Sequence, residues 1–425
     1  MHSNLQYNMS QYGNGNHGIL SAGLILAWLV TPESMMLVNK GAGMAGGVII
    51  VALAIGAMFA VSSAAVMHNP QLVRHGYDND VRVMRAVLGQ PLGLAAVLSG
   101  RVPLLLFAST GMLVSAGFAF NEIFLYWFPN FLFASLLLLC VTLLNIFTRP
   151  FALMLQIFSV GLMILGMLVL IVMGFNEHTV VQSSNNEIQQ GLTPLLIAMG
   201  CVPFLGFDFH RPRPDSGVVY ICLTAGLVLL VASAVMAIGA VAPHRLAETT
   251  IAHMIVARAV AGELGRYIMG MVVIAGVVAG VNGLFIVMKR LYADIVLESL
   301  GPHGNHRSWL VVLVAALAIF TMMMTGMAGE ALLESRIRAA IVLWMLYVGL
   351  RSACAGHLLK TAGVPSGFFG YLLGCLALLA AGVLAVADFD GAYIAIFVVK
   401  ILAGMFFVSL VYTMAVAKKK KTDIR

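Results

Sequence analysis

The chain has 425 residues, of which 61% are hydrophobic and only 10% charged, and its mean hydropathy is +0.99. Soluble domains are about half apolar and about a quarter charged, so this composition excludes one, together with a coiled coil or a disordered chain. It is the composition of an all-α polytopic membrane protein, and at roughly 20 residues per span the length accommodates about twelve transmembrane helices. The net charge of +7, from 24 Lys and Arg against 17 Asp and Glu, reads as the loop bias of a membrane protein rather than as a nucleic-acid surface.

Residues 1–17 form a polar tail without Lys or Arg, which is not the pattern of a signal peptide. Apolar segments bounded by charge, Pro or Gly then place spans at 18–38, 44–67, 91–120, 122–147, 151–174 and 192–209. A second set follows at 218–241, 265–287, 309–327, 339–356, 368–387 and 392–416. None of these runs shows the alternation of a barrel strand. The five cysteines, Cys140, Cys201, Cys222, Cys354 and Cys375, all fall in apolar stretches without metal-ligand spacing and are read as buried small hydrophobes.

Orientation follows from the cations. With both termini in the cytoplasm, sixteen Lys and Arg fall inside, Arg351 among them, and six outside: Lys40, Arg245, Arg258, Arg266, Arg336 and Arg338. That excess obeys the positive-inside rule. The loops carrying Glu177, Glu187, Asp388 and Asp390 hold no Lys or Arg and belong outside. Compact loops suggest the bacterial inner membrane. Within 68–90, the basic and apolar run VRVMRAVLGQ suits a helix lying on the inner leaflet or a moving gate element. The basic tail 417–425, with Lys418–Lys421, suits anionic headgroups.

Two spans look unlike ordinary lipid-facing helices. In the first, Pro32 and Glu33 follow a plain apolar run; in the sixth, Gly200, Pro203 and Gly206 come in quick succession before Asp208. Proline removes a helix hydrogen bond and glycine weakens the helix, so both are expected to break. Backbone freed at membrane depth survives only where protein or a water-filled cavity satisfies it, and interrupted helices at matching places in two halves point to a transporter site. Two kinked helices that only bend would give the same pattern. The division expected is 18–174 and 192–356 as two inverted repeats within a transporter domain of 18–416, with 368–416 as two added helices.

These motifs resemble those of the amino acid–polyamine–organocation permeases. The first-span pattern of that family is matched by Ile25-Leu26-Ala27-Trp28-Leu29-Val30-Thr31-Pro32-Glu33, and the turn before its second span by Gly43-Met44-Ala45-Gly46. The sixth-span run is matched by Phe204-Leu205-Gly206-Phe207-Asp208-Phe209-His210. The eighth span has Asn282 and a basic, aromatic exit at Lys289-Arg290-Leu291-Tyr292, and Asn121-Glu122-Ile123-Phe124 has the flavour of the fourth-span start. The resemblance implies a five-plus-five inverted repeat with discontinuous helices 1 and 6 and two extra helices. It implies a substrate site at Ile25, Leu26, Ala27, Trp28, Phe204, Gly206, Phe207, Asp208 and Asn282. In the family, backbone amides of a glycine-rich break in span one capture the substrate carboxylate; this chain has Ile25 and Ala27 where the glycines would be, with Trp28 beside them. Trp28 could offer a π face to an amine or serve as a core tryptophan. The span-five lysine that replaces sodium in some members is absent.

Ionisable groups within spans are costly and are functional candidates by default. Asp208 could hold a cationic substrate, bind a proton or pair with Arg211, and Glu33 could carry a proton or line a vestibule, so both are coupling candidates for H+ or Na+. Arg101 and Lys400 are read as snorkelling to the headgroups, and Glu122 as a cap on the fourth helix. No cofactor, metal ligand set or catalytic residue is expected: no HExxH, CxxCH or local triad signature appears, which argues against an enzyme. The partners expected are a small-molecule substrate and membrane lipid, without nucleic acid. The function expected is a secondary transporter or exchanger moving an amino acid, amine or related polar solute by alternating access. The rival is a non-transporting sensor or scaffold subunit built on a permease fold.

Overall fold

A computed structural model describes residues 14–147, 149–176, 191–209, 217–249, 251–300, 307–325, 331–386 and 391–423. Among the described residues there are helices and no strands. Among the described residues nine helices are long and apolar enough to cross a membrane, a bent pair makes up to ten, and two shorter apolar helices stand at the places of the sixth and ninth expected spans. Of the predicted tail, residues 14–17 form the first turn of a helix and 1–13 lie outside the described residues, as do Glu177, Glu187, Asp388, Asp390, Arg211 and Arg213.

Span one is the bent pair: α1 (Asn14–Leu29) and α2 (Pro32–Ala45) meet at 42°. Proline at the first position of α2 cannot donate the hydrogen bond that would continue α1, and Thr31 caps the new helix. The predicted boundary at 44 therefore moves: span two is α3 (Val48–Met67), and α2 carries span one to Ala45. Two short helices, α4 (Pro70–Arg74) and α5 (Asp80–Leu88), lead to span three, α6 (Gln90–Ile123).

Helix α5 is not a leaflet-surface helix. Val81, Val83 and Met84 are buried, and the helix packs on α6 and on α14 (Ala331–Thr361), the tenth span. Asn121, Glu122 and Ile123 end span three rather than begin span four, because α6 continues through them to Ile123. Glu122 is exposed in the last turn of α6 and caps no helix N-terminus, while the Asn121 amide donates to the carbonyls of Tyr126 (2.6 Å) and Phe128 (2.7 Å) and closes the turn.

Spans four and five are α7 (Asn130–Phe147) and α8 (Arg149–Asn176). Span six is α9 (Pro194–Cys201), continued as a 3-10 segment, Val202–Phe209. Span seven is α10 (Gly217–Ala240), followed by the short α11 (Pro243–Glu248). Span eight begins earlier than predicted: α12 (Ala252–Leu300) bends at Ala261 and Gly262, where Gly262 takes φ +56, so 252–260 precedes the span proper. The remaining spans are α13 (Ser308–Met324), α14, α15 (Gly367–Val386) and α16 (Gly391–Asp423).

Helices α12, α14 and α6 are mostly buried, whereas α7, α8, α15 and α16 turn much of their surface outward, with Phe158, Leu165, Leu379 and Phe407 exposed. Lipid tails solvate those side chains, so helix association relies on close packing of small residues instead. The α14–α15 contact is of this kind: a Cβ on Gly356 would fall 2.6 Å from the Gly367 carbonyl oxygen. Cys201, Cys222 and Cys354 are buried as expected, but Cys140 and Cys375 are exposed on the outward-facing helices; all five thiols are free.

Candidate functional site

The break in span one is closed by its own side chains. The Thr31 Oγ1 accepts from the Ser34 amide and donates to the Ser34 hydroxyl, both at 3.1 Å, and the Ser34 hydroxyl donates to the Trp28 carbonyl at 3.1 Å. Helix ends leave backbone groups without intrahelical partners. Here the end of α1 and the start of α2 satisfy each other across the bend. The Met35 amide also bonds the Thr31 carbonyl at 3.0 Å. The α2 N-terminus, where the resemblance places capture of a substrate carboxylate, is thus occupied by Thr31, by a proline without an N–H and by the Glu33 side chain in the first turn.

Span six breaks in another way. Gly200 lies within α9, and its role is close approach: a Cβ there would fall 2.4 Å from the backbone of Ala52, while a Cβ on Gly56 would fall 2.3 Å from the Gly200 carbonyl oxygen. The helix tightens into the 3-10 form at Val202, beside Pro203, whose missing N–H prevents an α-helical bond to Met199.

The two irregular segments meet. A Cβ on Gly206 would lie 2.5 Å from Cδ1 of Trp28, so the indole rests directly on the Gly206 backbone. Its other neighbour is Trp344 of α14, edge to face with ring centroids 5.0 Å apart. Ile25, Ala27, Trp28 and Phe204 are buried and Leu26 is half-buried at this crossing of spans one and six. The side chains of Phe207 and Asp208 lie outside the described residues.

Span eight runs along the break on a face of small residues. A Cβ on Gly276 would fall 2.6 Å from Pro32, and one on Gly280 2.7 Å from the Met112 sulfur with Thr31 behind it. Glu33 follows Pro32, and both of its carboxylate oxygens are buried without a hydrogen-bond partner. An ionised carboxylate in that setting is costly.

Asn282 does not join this group. Its Oδ1 accepts from Asn145 of α7 at 2.7 Å, and its Nδ2 donates to Gln156 Oε1 (2.8 Å) and to the Ala152 carbonyl (2.9 Å) of α8. Gln156 Nε2 in turn donates to the Gly23 carbonyl of α1 at 3.2 Å. These amides are fully buried and tie spans one, four, five and eight together, with Lys289 Nζ donating to the Asn145 carbonyl at 2.7 Å. Asn282 serves the scaffold because its hydrogen-bonding capacity is spent between helices.

Arg101 does not snorkel, and Arg351 is not a loop charge. Arg351 is buried and Arg101 nearly so, its side chain 11% exposed, and both converge with Tyr347 on Asp80 of α5. The sequence reading missed this cluster because Asp80 and Arg351 lie 271 residues apart. The one available signal was the presence of two arginines inside apolar spans. Burial alone would raise the Asp80 carboxyl, but the Arg351 and Arg101 guanidiniums and the Tyr347 hydroxyl hold it below the usual carboxylate range. Lys400 is exposed on α16, as snorkelling requires.

No family model matches this chain, and no curated protein matches it. Solved structures do. A mutant of the Eremococcus coleocola manganese transporter is 13% identical, with 96% of this chain and 97% of that one covered and a TM-score of 0.56. The same transporter in complex with an aromatic bis-isothiourea substituted compound is 12% identical, with 95% of each chain covered and a TM-score of 0.56. Over nearly its full length the chain has the all-α polytopic fold of a membrane transporter, interrupted at the first and sixth spans.

Proposed function

We propose that this protein is a secondary active transporter that moves a small polar organic solute by alternating access, with the junction of spans one and six as its substrate site. The observation that carries this reading is the meeting of two interrupted helices at Trp28 and Gly206, in a chain with the fold of a transporter. Interrupted helices lining a site between two bundles are how many secondary transporters are built. The two repeats, 18–174 and 192–356, would supply one interrupted helix each, and the membrane would be a bacterial inner membrane with both termini cytoplasmic, as the cation count supports.

The structural neighbours reported above are forms of one manganese transporter. Among the described residues of this chain, no three His, Cys, Asp or Glu side chains come together as a metal site. The organic-solute reading rests on the permease-like motifs of spans one and six. Within the organic class, the Thr31 cap and the buried Glu33 carboxyl make the α2 N-terminus a poor place for a carboxylate. An amine therefore fits this site better than an amino acid bound by its carboxylate. Glu33 is our candidate for the coupled proton, since a partnerless buried carboxyl is stable when neutral and must find water or a cation when ionised. Asp208 is the second coupling candidate and stands near the inner end of span six.

The test is uptake into proteoliposomes of radiolabelled amines, polyamines, amino acids and amino-sulfonates, and of manganese, under imposed proton or sodium gradients. Gradient-driven accumulation of an amine supports the reading; accumulation of manganese alone overturns the substrate class. The closed packing of Trp28 on Gly206 also suits a non-transporting sensor or scaffold, and absence of flux from folded, inserted protein would favour it.

A further inference from the structure

The turn between spans three and four is closed inward and bare outward. Its backbone is tied by hydrogen bonds. The Asn121 amide donates to the Tyr126 and Phe128 carbonyls, the Leu125 amide bonds the Phe120 carbonyl at 3.1 Å, and the Phe128 amide bonds the Leu125 carbonyl at 2.9 Å. The two spans approach closely beside it, since a Cβ on Gly117 would fall 2.4 Å from the Asn130 carbonyl oxygen. Yet Tyr126 and Trp127 in this fixed turn are 88% and 75% exposed.

Trp127 is also one end of a chain of rings. It meets Phe128 with centroids 5.8 Å apart, Phe128 meets Phe120 at 5.7 Å, Phe120 meets Phe124 at 5.9 Å, and Phe124 meets Tyr267 of α12 at 6.0 Å. Phe133 of α7 stacks on Phe120 at 3.9 Å and ties the chain to span four. At the far end the Arg266 guanidinium lies 5.8 Å from the Tyr267 ring centroid. Spans three, four and eight are thus joined at one level by aromatic contacts.

The residues on either side fix what that level is. Deeper along the spans, Leu132, Leu136 and Leu139 of α7 and Met271 of α12 are exposed apolar side chains. At the level of the rings and beyond stand the charges Glu122, Glu263, Arg258 and Arg266. Exposed tyrosine and tryptophan at such a border suit the layer where hydrocarbon gives way to headgroups, because the ring is solvated by acyl chains while its N–H or O–H stays wet. The patch also continues without a charged residue into the outward face of α7, which lipid tails cover. The charges themselves favour no anionic lipid: Glu263 holds both Arg258 and Arg266 at 3.2 Å, and with Glu122 the four carry no net charge.

We propose that the 124–129 turn, together with Tyr267, is an interfacial anchor that seats in the phospholipid headgroup layer and sets the depth of spans three, four and eight. It takes lipid through its amphipathic rings and not through headgroup charge.

The experiment follows Trp127 in full-length protein reconstituted into phosphatidylcholine vesicles. Its fluorescence is the difference between the unaltered protein and Trp127→Phe, which changes one exposed ring; Trp127→Tyr serves the same subtraction if the first variant fails to fold. Quenching is compared among lipids brominated near the carbonyl end of the acyl chain, lipids brominated near its terminus, and iodide in the water. An anchor gives quenching at least about twofold stronger from the carbonyl-end bromines than from either other quencher. The bromine result stays the same when phosphatidylglycerol replaces part of the lipid. Strong quenching by iodide with none by bromine puts the turn in water and overturns the proposal. Protection from all three quenchers overturns it as well, because the turn is then covered by protein. Bromine quenching that appears only with phosphatidylglycerol overturns the charge-independent seat. The measurement needs no flux, so the anchor stands or falls separately from the transport reading.

Discussion

The indole of Trp28 rests on the backbone of Gly206, leaving no room for even a methyl group between them. The contact joins the only two places where the described spans one and six lose α-helical continuity, and it explains why a glycine stands in an otherwise bulky run, Phe204-Leu205-Gly206. Gly206→Ala is expected to force the indole aside at a strain of about 1–3 kcal/mol and to depress transport strongly in protein that still folds. Uptake and thermal unfolding measured side by side check this. The double variant Gly206→Ala with Trp28→Leu should regain the stability, and a full recovery of transport would show that the indole itself is dispensable.

Glu33→Gln should separate coupling from binding. The amide keeps the shape and cannot ionise, so thermal stability at neutral pH should not fall. Proton-driven accumulation should disappear while exchange of labelled for unlabelled solute persists. Intact proton-driven accumulation in the variant would remove Glu33 as the coupling group.

The amide relay through Asn145, Asn282 and Gln156 predicts a different phenotype. Asn282→Leu leaves three buried partners unmatched and should cost about 1–3 kcal/mol of stability. The KM for solute should stay unchanged, since the Asn282 amide is spent on Asn145, Gln156 and the Ala152 carbonyl. A selective rise in KM without loss of stability would return Asn282 to the binding site.

Close approach makes a contrast between glycines. Gly200→Ala places a Cβ 2.4 Å from the backbone of Ala52, which has no side-chain end to yield, whereas Gly404→Ala on α16 meets nothing within 4 Å. The first should lower the yield of folded protein and its unfolding temperature, and the second should be neutral. Fluorescence-detected gel filtration after graded heating measures both.

The Asp80 cluster sets a pH dependence. Its carboxyl is held below the ordinary carboxylate range, so the stability it contributes is present above the unfolded value and is lost as the pH falls through the folded one. The native protein should therefore keep a flat stability around neutrality and lose stability only below the usual carboxylate range. Asp80→Asn, which removes the anion that the Arg101 and Arg351 guanidiniums share, should lower stability at neutral pH and flatten that acid limb. Calorimetry or dye-monitored melting across pH would show the difference.

Span number, the helical class and the interruption beside Pro32 were legible from composition and from residues whose local chemistry acts on their own backbone. Apolar runs of about 20 residues must be helices in lipid, and a proline cannot donate the next helix bond wherever it stands. The breaks at spans one and six were equally local. The extent of α6 through Asn121–Ile123 and the early start of α12 were not legible, because apolar length does not record where a helix continues past the membrane.

What tertiary structure alone decided is partnership. Asn282, expected at the substrate site, hydrogen-bonds between helices, and Arg101, expected to snorkel, joins an ion cluster with Asp80, Tyr347 and Arg351, for one reason. A polar side chain in an apolar span is stable in any place where its hydrogen bonds are met, and the atoms that meet them, Gln156 for one and Asp80 for the other, come from helices distant in the chain. Periodicity and composition state that such a partner must exist; only the folding of twelve spans against one another determines which it is.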